Sequence, residues 1–213
     1  MYMQPKASRM KLFYSSTSPY SRKVRLVILE KGLSGQVETV LVDPFGASDP
    51  LNTANPLGKV PTLLLDNGEA LFDSPVICRY LDSLSDVFPM IPPAGWQQWA
   101  TLRWEALADG MTDTAYNIVM ERRRPAGQQS STWLAHWAAE IQRTLHEMES
   151  KAAELTGDIT LTHLAVGAAV GYLDLRMPEV LYEAACPSVA AYPRLLAWYE
   201  AFKTRSSMRA TQP

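Results

Sequence analysis

The sequence has little of what marks secreted, membrane or nucleic-acid-binding proteins. Its 213 residues include two cysteines, Cys78 and Cys186, which lie far apart and in no metal-binding or C-x-x-C spacing. A disulfide framework is therefore not expected, and a reducing, cytoplasmic location is. No apolar run approaches the roughly 18 residues that a membrane span needs. The net charge of −2 offers no basic footprint for nucleic acid or anionic lipid.

Two further absences concern the first residues and the histidines. The first nine residues lack the apolar core of a secretory signal, so we interpret them as a flexible extension, with Met10 as an alternative start. His136, His146 and His163 share no spacing typical of metal ligands, and no metal site is predicted.

What is present indicates a protein of two domains. A hydrophobic content of 47% and a charged content of 20% are those of a globular chain with a real core. All six tryptophans follow Pro93, whereas the strand-like runs precede residue 90. Between them lies a proline-rich linker, Phe88-Pro89-Met90-Ile91-Pro92-Pro93-Ala94-Gly95. We predict domains over residues 10–87 and 95–213.

The first domain alternates strand and helix signals. Residues 10–14 predict a strand, and a helix from Pro19 to Lys31 ends at Gly32. A second strand at 37–42 should run parallel to the first, because a helix connects them. Asn67-Gly68 predicts the turn of a hairpin between residues 62–65 and 70–72, and a helix follows from Asp73. This order is typical of a thioredoxin-like domain.

The second domain is predicted to be entirely helical. Apolar residues at three- and four-residue steps indicate amphipathic helices. The segments are 95–124, 133–155, 161–173 and 193–202. The predicted fold class is therefore α+β with two domains, a thioredoxin-like domain followed by an all-α bundle.

Three segments of the first domain carry the chemistry. Four hydroxyls, Ser15 to Ser18, precede a helix start, and the loop Asn55-Pro56-Leu57-Gly58-Lys59-Val60-Pro61 leads into a strand. Asp73-Ser74 opens another helix. A strand-entry backbone beside a helix N-terminus suits a small extended peptide with a free amine and a free carboxylate.

With Val170-Gly171-Tyr172-Leu173 in the central helix, these motifs resemble those of cytosolic glutathione S-transferases, over nearly all of Met10 to Met208. The chain is most similar to the bacterial, serine-type members near the tau, zeta and omega classes. The resemblance implies a glutathione transferase fold, glutathione as co-substrate, a small hydrophobic electrophile, a homodimer and a role in detoxification.

The resemblance places the catalytic residue at Ser18, which would hydrogen-bond the thiolate of glutathione. Thr17, Ser16 and Tyr14 are alternatives, and Ser18 can also be read as a plain N-cap. No cysteine lies in this loop, which disfavours disulfide exchange of the omega kind.

The same resemblance implies the glutathione-binding residues. Val60 and Pro61 would hold the cysteinyl backbone, with Pro61 in the cis form. Ser74 would take the γ-glutamyl carboxylate, Asp73 the γ-glutamyl ammonium, and Lys59 the glycyl carboxylate. Arg22 and Lys23 would either add positive potential near the thiolate or be plain surface charge.

The electrophile pocket is the least specific expectation, because aromatic and methionine stripes at helical spacing are usually core. The candidate lining residues are Tyr20, Trp104, Ala108, Met111 and Tyr116. The central helix departs from the family pattern, since His163 stands where an acid completes the capping box. We expect a neutral imidazole to accept the hydrogen bond from the cap backbone, with pH-sensitive stability as a result.

Two other functions are open alternatives: a glutathione-dependent disulfide reductase, and a non-enzymatic interaction protein of the same fold. Retention of Ser18, Val60-Pro61 and Asp73-Ser74 favours an enzyme.

Overall fold

The computed structural model describes residues 9–46, 49–84, 88–182 and 192–213. Residues 1–8 of the predicted extension and Cys186 lie outside this range. The chain forms two compact units. The first runs to Pro89 and also takes in Thr211–Pro213, and the second spans Met90–Ala210.

The first unit is built on a four-stranded sheet. Its strands are β1 (Met10–Tyr14), β2 (Val37–Leu41), β3 (Thr62–Leu64) and β4 (Ala70–Leu71). Their order is β2-β1-β3-β4. β1 and β2 are parallel, and the β1–β3 and β3–β4 pairs are antiparallel. The predicted parallel pair and hairpin are confirmed, with Gly68 in the turn at φ 87°.

Helices α1 (Pro19–Glu30) and α3 (Ser74–Ser83) pack against each other. α1 begins at the predicted Pro19 and ends at Glu30, one residue before the predicted end. Gly32 after it has a left-handed φ of 68°, which favours glycine. Lys31, at its C-cap, is buried and joins the two helices by a 2.9 Å bond from Nζ to Asp82. A short helix, α2 (Asp49–Ala54), stands where the sequence indicates a loop.

The second unit is helical over its described residues. The helices are α4 (Trp96–Arg122), α5 (Ser131–Ser150), α6 (Leu161–Arg176), α7 (Pro178–Tyr182), α8 (Pro193–Phe202) and α9 (Ser206–Ala210). The four predicted helices are confirmed as elements, except that the predicted second one ends at Ser150 and residues 152–155 form a 3₁₀ turn. The short α7 and α9 were not predicted. The observed fold class is the predicted one.

The centre of this unit is α6, in which residues 161–173 are all buried. Its start carries the capping box with His163 in the place of the acid. The backbone N–H of Thr160 donates to Nδ1 of His163 at 3.1 Å, so the predicted imidazole cap is confirmed. Gly167 lies so close to Phe202 that a Cβ there would be 2.5 Å from a ring carbon.

None of the helices among the described residues is both long and apolar enough to cross a membrane. No group of three or more potential metal-ligating side chains was found among the same residues.

Candidate functional site

The three chemistry-bearing segments meet at one end of the first unit's sheet, where β1 and β4 end and β3 begins. β1 ends at Tyr14 and leads to Ser18, while β3 runs antiparallel to it, so that Phe13 pairs with Thr62. Val60 and Pro61 therefore lie just before β3, at the end of the sheet where β1 ends. β4 is antiparallel to β3, with Leu71 opposite Leu63, so Asp73 and Ser74 after β4 lie at the same end of the sheet. The sheet register alone brings these loops together.

Ser18 is the N-cap of α1. Its side-chain oxygen accepts the backbone N–H of Ser21 at 3.2 Å, and its extended backbone (φ −79°, ψ 119°) is that of a capping residue. The cap uses a lone pair of the hydroxyl oxygen and leaves the hydroxyl hydrogen available as a donor. Capping and donation to an anion are therefore compatible at this one side chain.

The alternatives to Ser18 lie in different surroundings. Ser16 and Thr17 are exposed, whereas Ser18 is half-buried. Tyr14 lies beneath the guanidinium of Arg25, whose central carbon is 4.6 Å from the ring centroid. Burial lowers the pKa of Arg25, and the nearby Tyr14 acts in the opposite direction. Position alone does not separate these hydroxyls, but the helix N-terminus favours Ser18.

Two basic residues of α1 are buried rather than surface charges. Arg22 and Lys23 are 7% and 1% exposed, which excludes the surface interpretation. The Arg22 Nε donates to the Thr211 hydroxyl oxygen at 3.4 Å. This long contact ties the last residues of the chain to the first turns of α1.

The loop before β3 contains the Val60–Pro61 peptide bond, which is cis, so that expectation is confirmed. Val60 is half-buried, Pro61 is buried and Lys59 is exposed. The glycine of the loop, Gly58, has a φ of 60°. Lys59 and Val60 therefore lie directly before the start of β3, at the end of the sheet where β1 also ends.

Asn55 holds this loop in place, a role that sequence reasoning missed. Its side chain is 1% exposed, and Nδ2 donates to the Lys59 carbonyl at 3.1 Å and to the Thr62 hydroxyl at 3.0 Å. Its Oδ1 accepts the Leu57 N–H at 3.0 Å, which is an Asx-turn. An Asn-Pro pair before a Gly-containing loop is a signal for such a turn and could have identified it.

The start of α3 supplies the third segment. Asp73 is its N-cap residue, is exposed, and among the described residues makes no side-chain capping bond. Ser74 is 2% exposed in the first turn, and Pro75 follows it. The Phe72–Asp73 peptide bond is also cis. A carboxylate that is not used for capping therefore stands next to the free backbone N–H groups of a helix N-terminus.

The predicted electrophile-pocket residues fall into two sets, one in each unit. Tyr20 is half-buried in the first turn of α1. On α4, Trp104, Ala108 and Met111 are no more than 3% exposed, and the Trp104 Nε1 donates to Glu154 at 2.8 Å. Tyr116, also on α4, is 37% exposed. Their role as pocket residues stays a prediction.

The sequence of this chain matches two family models and several known proteins. Family models for the glutathione S-transferase N-terminal and C-terminal domains match residues 17–84 and 131–201. An uncharacterized GST-like protein of Escherichia coli K12, YibF, is 34% identical over 207 residues, which cover 96% of this chain and 98% of that one. A stringent starvation protein A homolog of Pasteurella multocida is 41% identical over 87 residues, covering 41% of this chain and 40% of that protein.

Solved structures give the same result. A glutathione S-transferase of Methylobacillus flagellatus with glutathione bound is 40% identical, with a TM-score of 0.86 and coverage of 96% and 99% of the two chains. A glutathione transferase family member of Pseudomonas fluorescens with bound glutathione is 36% identical, with a TM-score of 0.89 and coverage of 96% and 98%. The latter was also crystallised with S-(propanoic acid)-glutathione.

Proposed function

Since this chain belongs to the glutathione S-transferase family, we propose that it binds glutathione and adds the thiolate to an electrophilic small molecule. The observation that carries the proposal is the Ser18 hydroxyl at the start of α1, held by the Ser21 N–H at 3.2 Å with its own hydrogen free to donate. Glutathione bound to relatives at 36% and 40% identity supports the choice of ligand.

The chemistry requires a thiolate. A free thiol has a pKa of about 8.5 and is mostly protonated at neutral pH. Lowering that pKa by one to two units takes about 1.4–2.7 kcal/mol of selective stabilisation of the anion. A hydroxyl hydrogen bond together with a helix N-terminus supplies an effect of this size. A serine hydroxyl is too weak an acid to ionise near neutral pH, so it cannot remove the thiol proton as an alkoxide. Ser18 therefore acts as a hydrogen-bond donor to sulfur.

The remaining proposed contacts with glutathione come from the residues at this end of the sheet. Val60 pairs with the cysteinyl backbone in strand fashion. The uncapped first turn of α3, with Ser74, receives the γ-glutamyl carboxylate, and the exposed Asp73 receives the ammonium group. Lys59 lies on the loop that would face the glycyl carboxylate. This set positions a small peptide by its charged ends and leaves the sulfur at Ser18.

The test is an ultraviolet difference titration of the bound thiol in the wild type, Ser18→Ala and Ser130→Ala. Ser130 is a matched control, because it caps α5 by accepting the Trp133 N–H at 3.3 Å. The bound thiol should have a pKa below that of free glutathione, which rises in Ser18→Ala and is unchanged in Ser130→Ala. Binding without an effect in Ser18→Ala would move the role to Thr17, Ser16 or Tyr14. An absence of glutathione binding would overturn the proposal.

A second candidate function is that of an interaction protein. The observation in its favour is that a relative 41% identical over 87 residues carries a name, stringent starvation protein A homolog, that is not that of a transferase. A glutathione-independent complex with a defined protein partner, combined with no thiol-transfer activity, would favour it. Rates with an aromatic halide and with a small mixed disulfide would separate transfer from disulfide reduction, which the lack of a cysteine in residues 15–18 disfavours.

The proposal includes a cytoplasmic homodimer. Trp96 and Trp99 on α4 are 74% and 60% exposed, and large apolar side chains at this exposure are typical of a surface that another chain covers. Light scattering of the purified protein would give its mass and decide between monomer and dimer.

A further inference from the structure

The hydroxyl of Ser21 is buried in the first turn of α1 and has no hydrogen-bond partner among the described residues. The residue is 0% exposed, so solvent does not supply the missing bond. A buried hydroxyl without a partner has lost its hydration and gained nothing in return, so it lowers stability and is rare in folded proteins. This unpaired group lies three residues after Ser18, the proposed donor to the sulfur of glutathione.

Two ordinary roles of a serine near a helix start are not filled by this hydroxyl. In a capping box, the side chain at this position accepts the backbone N–H of the capping residue. Here the Ser18 N–H donates instead to the Ser15 carbonyl at 3.2 Å. A helical hydroxyl can also donate to a carbonyl one turn earlier, as Thr112 does to Ala108 at 2.9 Å. The Ser21 hydroxyl makes no such bond within the described part of the chain.

The backbone of Ser21 is already bonded to the side chain of Ser18. The Ser21 N–H donates to the Ser18 Oγ at 3.2 Å. The Cα–Cβ bonds of a helix tilt toward its N-terminus, so the Ser21 side chain leans toward the turn that Ser18 caps. Rotation about this bond moves a serine oxygen among three staggered positions. The Ser21 hydroxyl can therefore reach the same oxygen that its own N–H contacts.

The Ser18 oxygen can accept this second donor. A serine hydroxyl has one hydrogen to donate and two lone pairs to accept. Of the described residues, Ser21 is the one whose N–H uses a lone pair of Ser18 Oγ, and the second lone pair is open. A donor at that lone pair would make the Ser18 O–H a stronger donor in turn, because linked hydrogen bonds polarise one another by about 10–30% per bond.

We propose that Ser21 is a positioning residue for the thiolate of glutathione: its hydroxyl donates to the Ser18 oxygen while the Ser18 hydroxyl donates to sulfur. The inference rests on the proposed function, in which Ser18 is the donor to sulfur. Because Ser21 is fully buried, it acts through Ser18 and not on the sulfur directly. A hydroxyl that is unpaired in the folded chain and paired in the reaction should oppose stability and support the thiolate.

The test compares Ser21→Ala, Ser18→Ala and the double variant with the wild type. Thr112→Val is the matched control, because Thr112 is also buried but its hydroxyl has a partner. Ultraviolet difference titration gives the pKa of the bound glutathione thiol, and thermal unfolding without glutathione gives the Tm. The two measurements report separately on the thiolate and on stability.

Ser21→Ala should change the two quantities in a characteristic way. We expect the thiol pKa to rise by about 0.2–0.6 unit, a loss of about 20–30% of a stabilisation of one to two units. The Tm should rise by about 2–4 °C, because a methyl group replaces an unsatisfied buried hydroxyl. Thr112→Val should lower the Tm and leave the thiol pKa unchanged.

The double variant shows whether Ser21 acts through Ser18. Once residue 18 is alanine, loss of the Ser21 hydroxyl should have no further effect, so the double variant should have the thiol pKa of Ser18→Ala. S-methylglutathione has no ionisable thiol, and calorimetry should show that it binds Ser21→Ala with the wild-type affinity. Weaker binding of this ligand would indicate a general disturbance of the site and refute the positioning role.

The remaining outcomes separate this inference from the proposed function. An unchanged thiol pKa in Ser21→Ala, or a further rise in the double variant, would overturn the inference. A lower Tm or a failure of Ser21→Ala to fold would also overturn it, because the hydroxyl would then have a structural partner. Glutathione binding with an effect of Ser18→Ala and none of Ser21→Ala would refute this inference alone. An absence of glutathione binding would overturn both.

Discussion

The Nδ1 of His163 accepts the backbone N–H of Thr160 at 3.1 Å, so the proton of the neutral imidazole lies on Nε2. The ring is 4% exposed, and its centroid lies 6.3 Å from that of Trp198 and 6.5 Å from that of Phe202. A histidine thus serves as the capping acceptor at the start of the central helix, where the family pattern has an acidic residue. Protonation of Nδ1 would remove the acceptor and break this hydrogen bond.

This cap predicts a pH dependence of stability. Burial lowers the pKa of His163 in the folded state below its usual value of 6.5. As pH falls through that value, the unfolded chain binds the proton first, so the free energy of unfolding decreases, and the loss ends below the folded-state pKa. Urea unfolding from pH 8 to pH 5 should show this loss in the wild type and in His136→Gln. His163→Gln, which keeps a capping acceptor, should lack it. An unchanged slope in His163→Gln would contradict the assignment.

Asn55 is expected to control both the stability of the loop before β3 and its fitness for a ligand. Asn55→Ala removes the donor to the Lys59 carbonyl and the Thr62 hydroxyl and should cost about 1–3 kcal/mol in urea unfolding. It should also weaken glutathione binding, measured by calorimetry, because the segment from Lys59 to Thr62 loses its anchor. Asn52→Ala, at an exposed position of α2, is the control. Equal effects of the two substitutions would argue against the anchor.

The pair of Lys31 and Asp82 should matter far more than a surface ion pair. The Lys31 side chain is fully buried, and its Nζ also donates to the Phe88 carbonyl at 2.7 Å. Lys31→Met would remove the Lys31 ammonium from Asp82 and should cost several kcal/mol, about 3–5 by analogy with broken buried pairs. Adding Asp82→Asn should recover part of the loss. Lys151→Met, which breaks an exposed pair with Glu147, should cost at most about 1 kcal/mol.

Two glycines should respond in opposite directions to alanine. Gly167→Ala would place a methyl group 2.5 Å from the Phe202 ring and should destabilise the protein by about 1–3 kcal/mol, as overpacking does. Gly110, in the middle of α4, has nothing within 4 Å of an added Cβ, and Gly110→Ala should stabilise by about 0.5–1 kcal/mol. Phe202→Leu should relieve the first effect. Thermal unfolding of the variants would measure these changes, and equal melting temperatures for Gly167→Ala and Gly110→Ala would refute the packing argument.

The elements predicted correctly are those with strong local signals. α1 has Ser18 and Pro19 at its start and Gly32 after its end, and the hairpin has its Asn-Gly turn, so short-range stereochemistry was sufficient. α2 was missed because its six residues include Pro50 and Asn52 and show no apolar period. Of the α2 residues whose burial the structure describes, Leu51 alone lies in the hydrophobic core.

The candidate site was predictable to the extent that it lies in turns. Ser18 was predictable as a helix cap and Pro61 as the residue before a strand, because both signals are local in the sequence. The role of Asn55 and the burial of Arg22 and Lys23 depend on partners distant in space, to which a periodicity argument is blind. Charge favoured surface positions for Arg22 and Lys23 over a place near the thiolate, but tertiary packing buries both side chains.

The hydrogen bond from Arg22 to Thr211 joins residues 189 positions apart, and both belong to the first unit. A ribosome delivers Thr211 only after every residue of the helical unit. The first unit therefore cannot complete this contact before the helical unit has been synthesised. A nascent chain halted at Pro89 should hold the start of α1 more loosely than the full chain does.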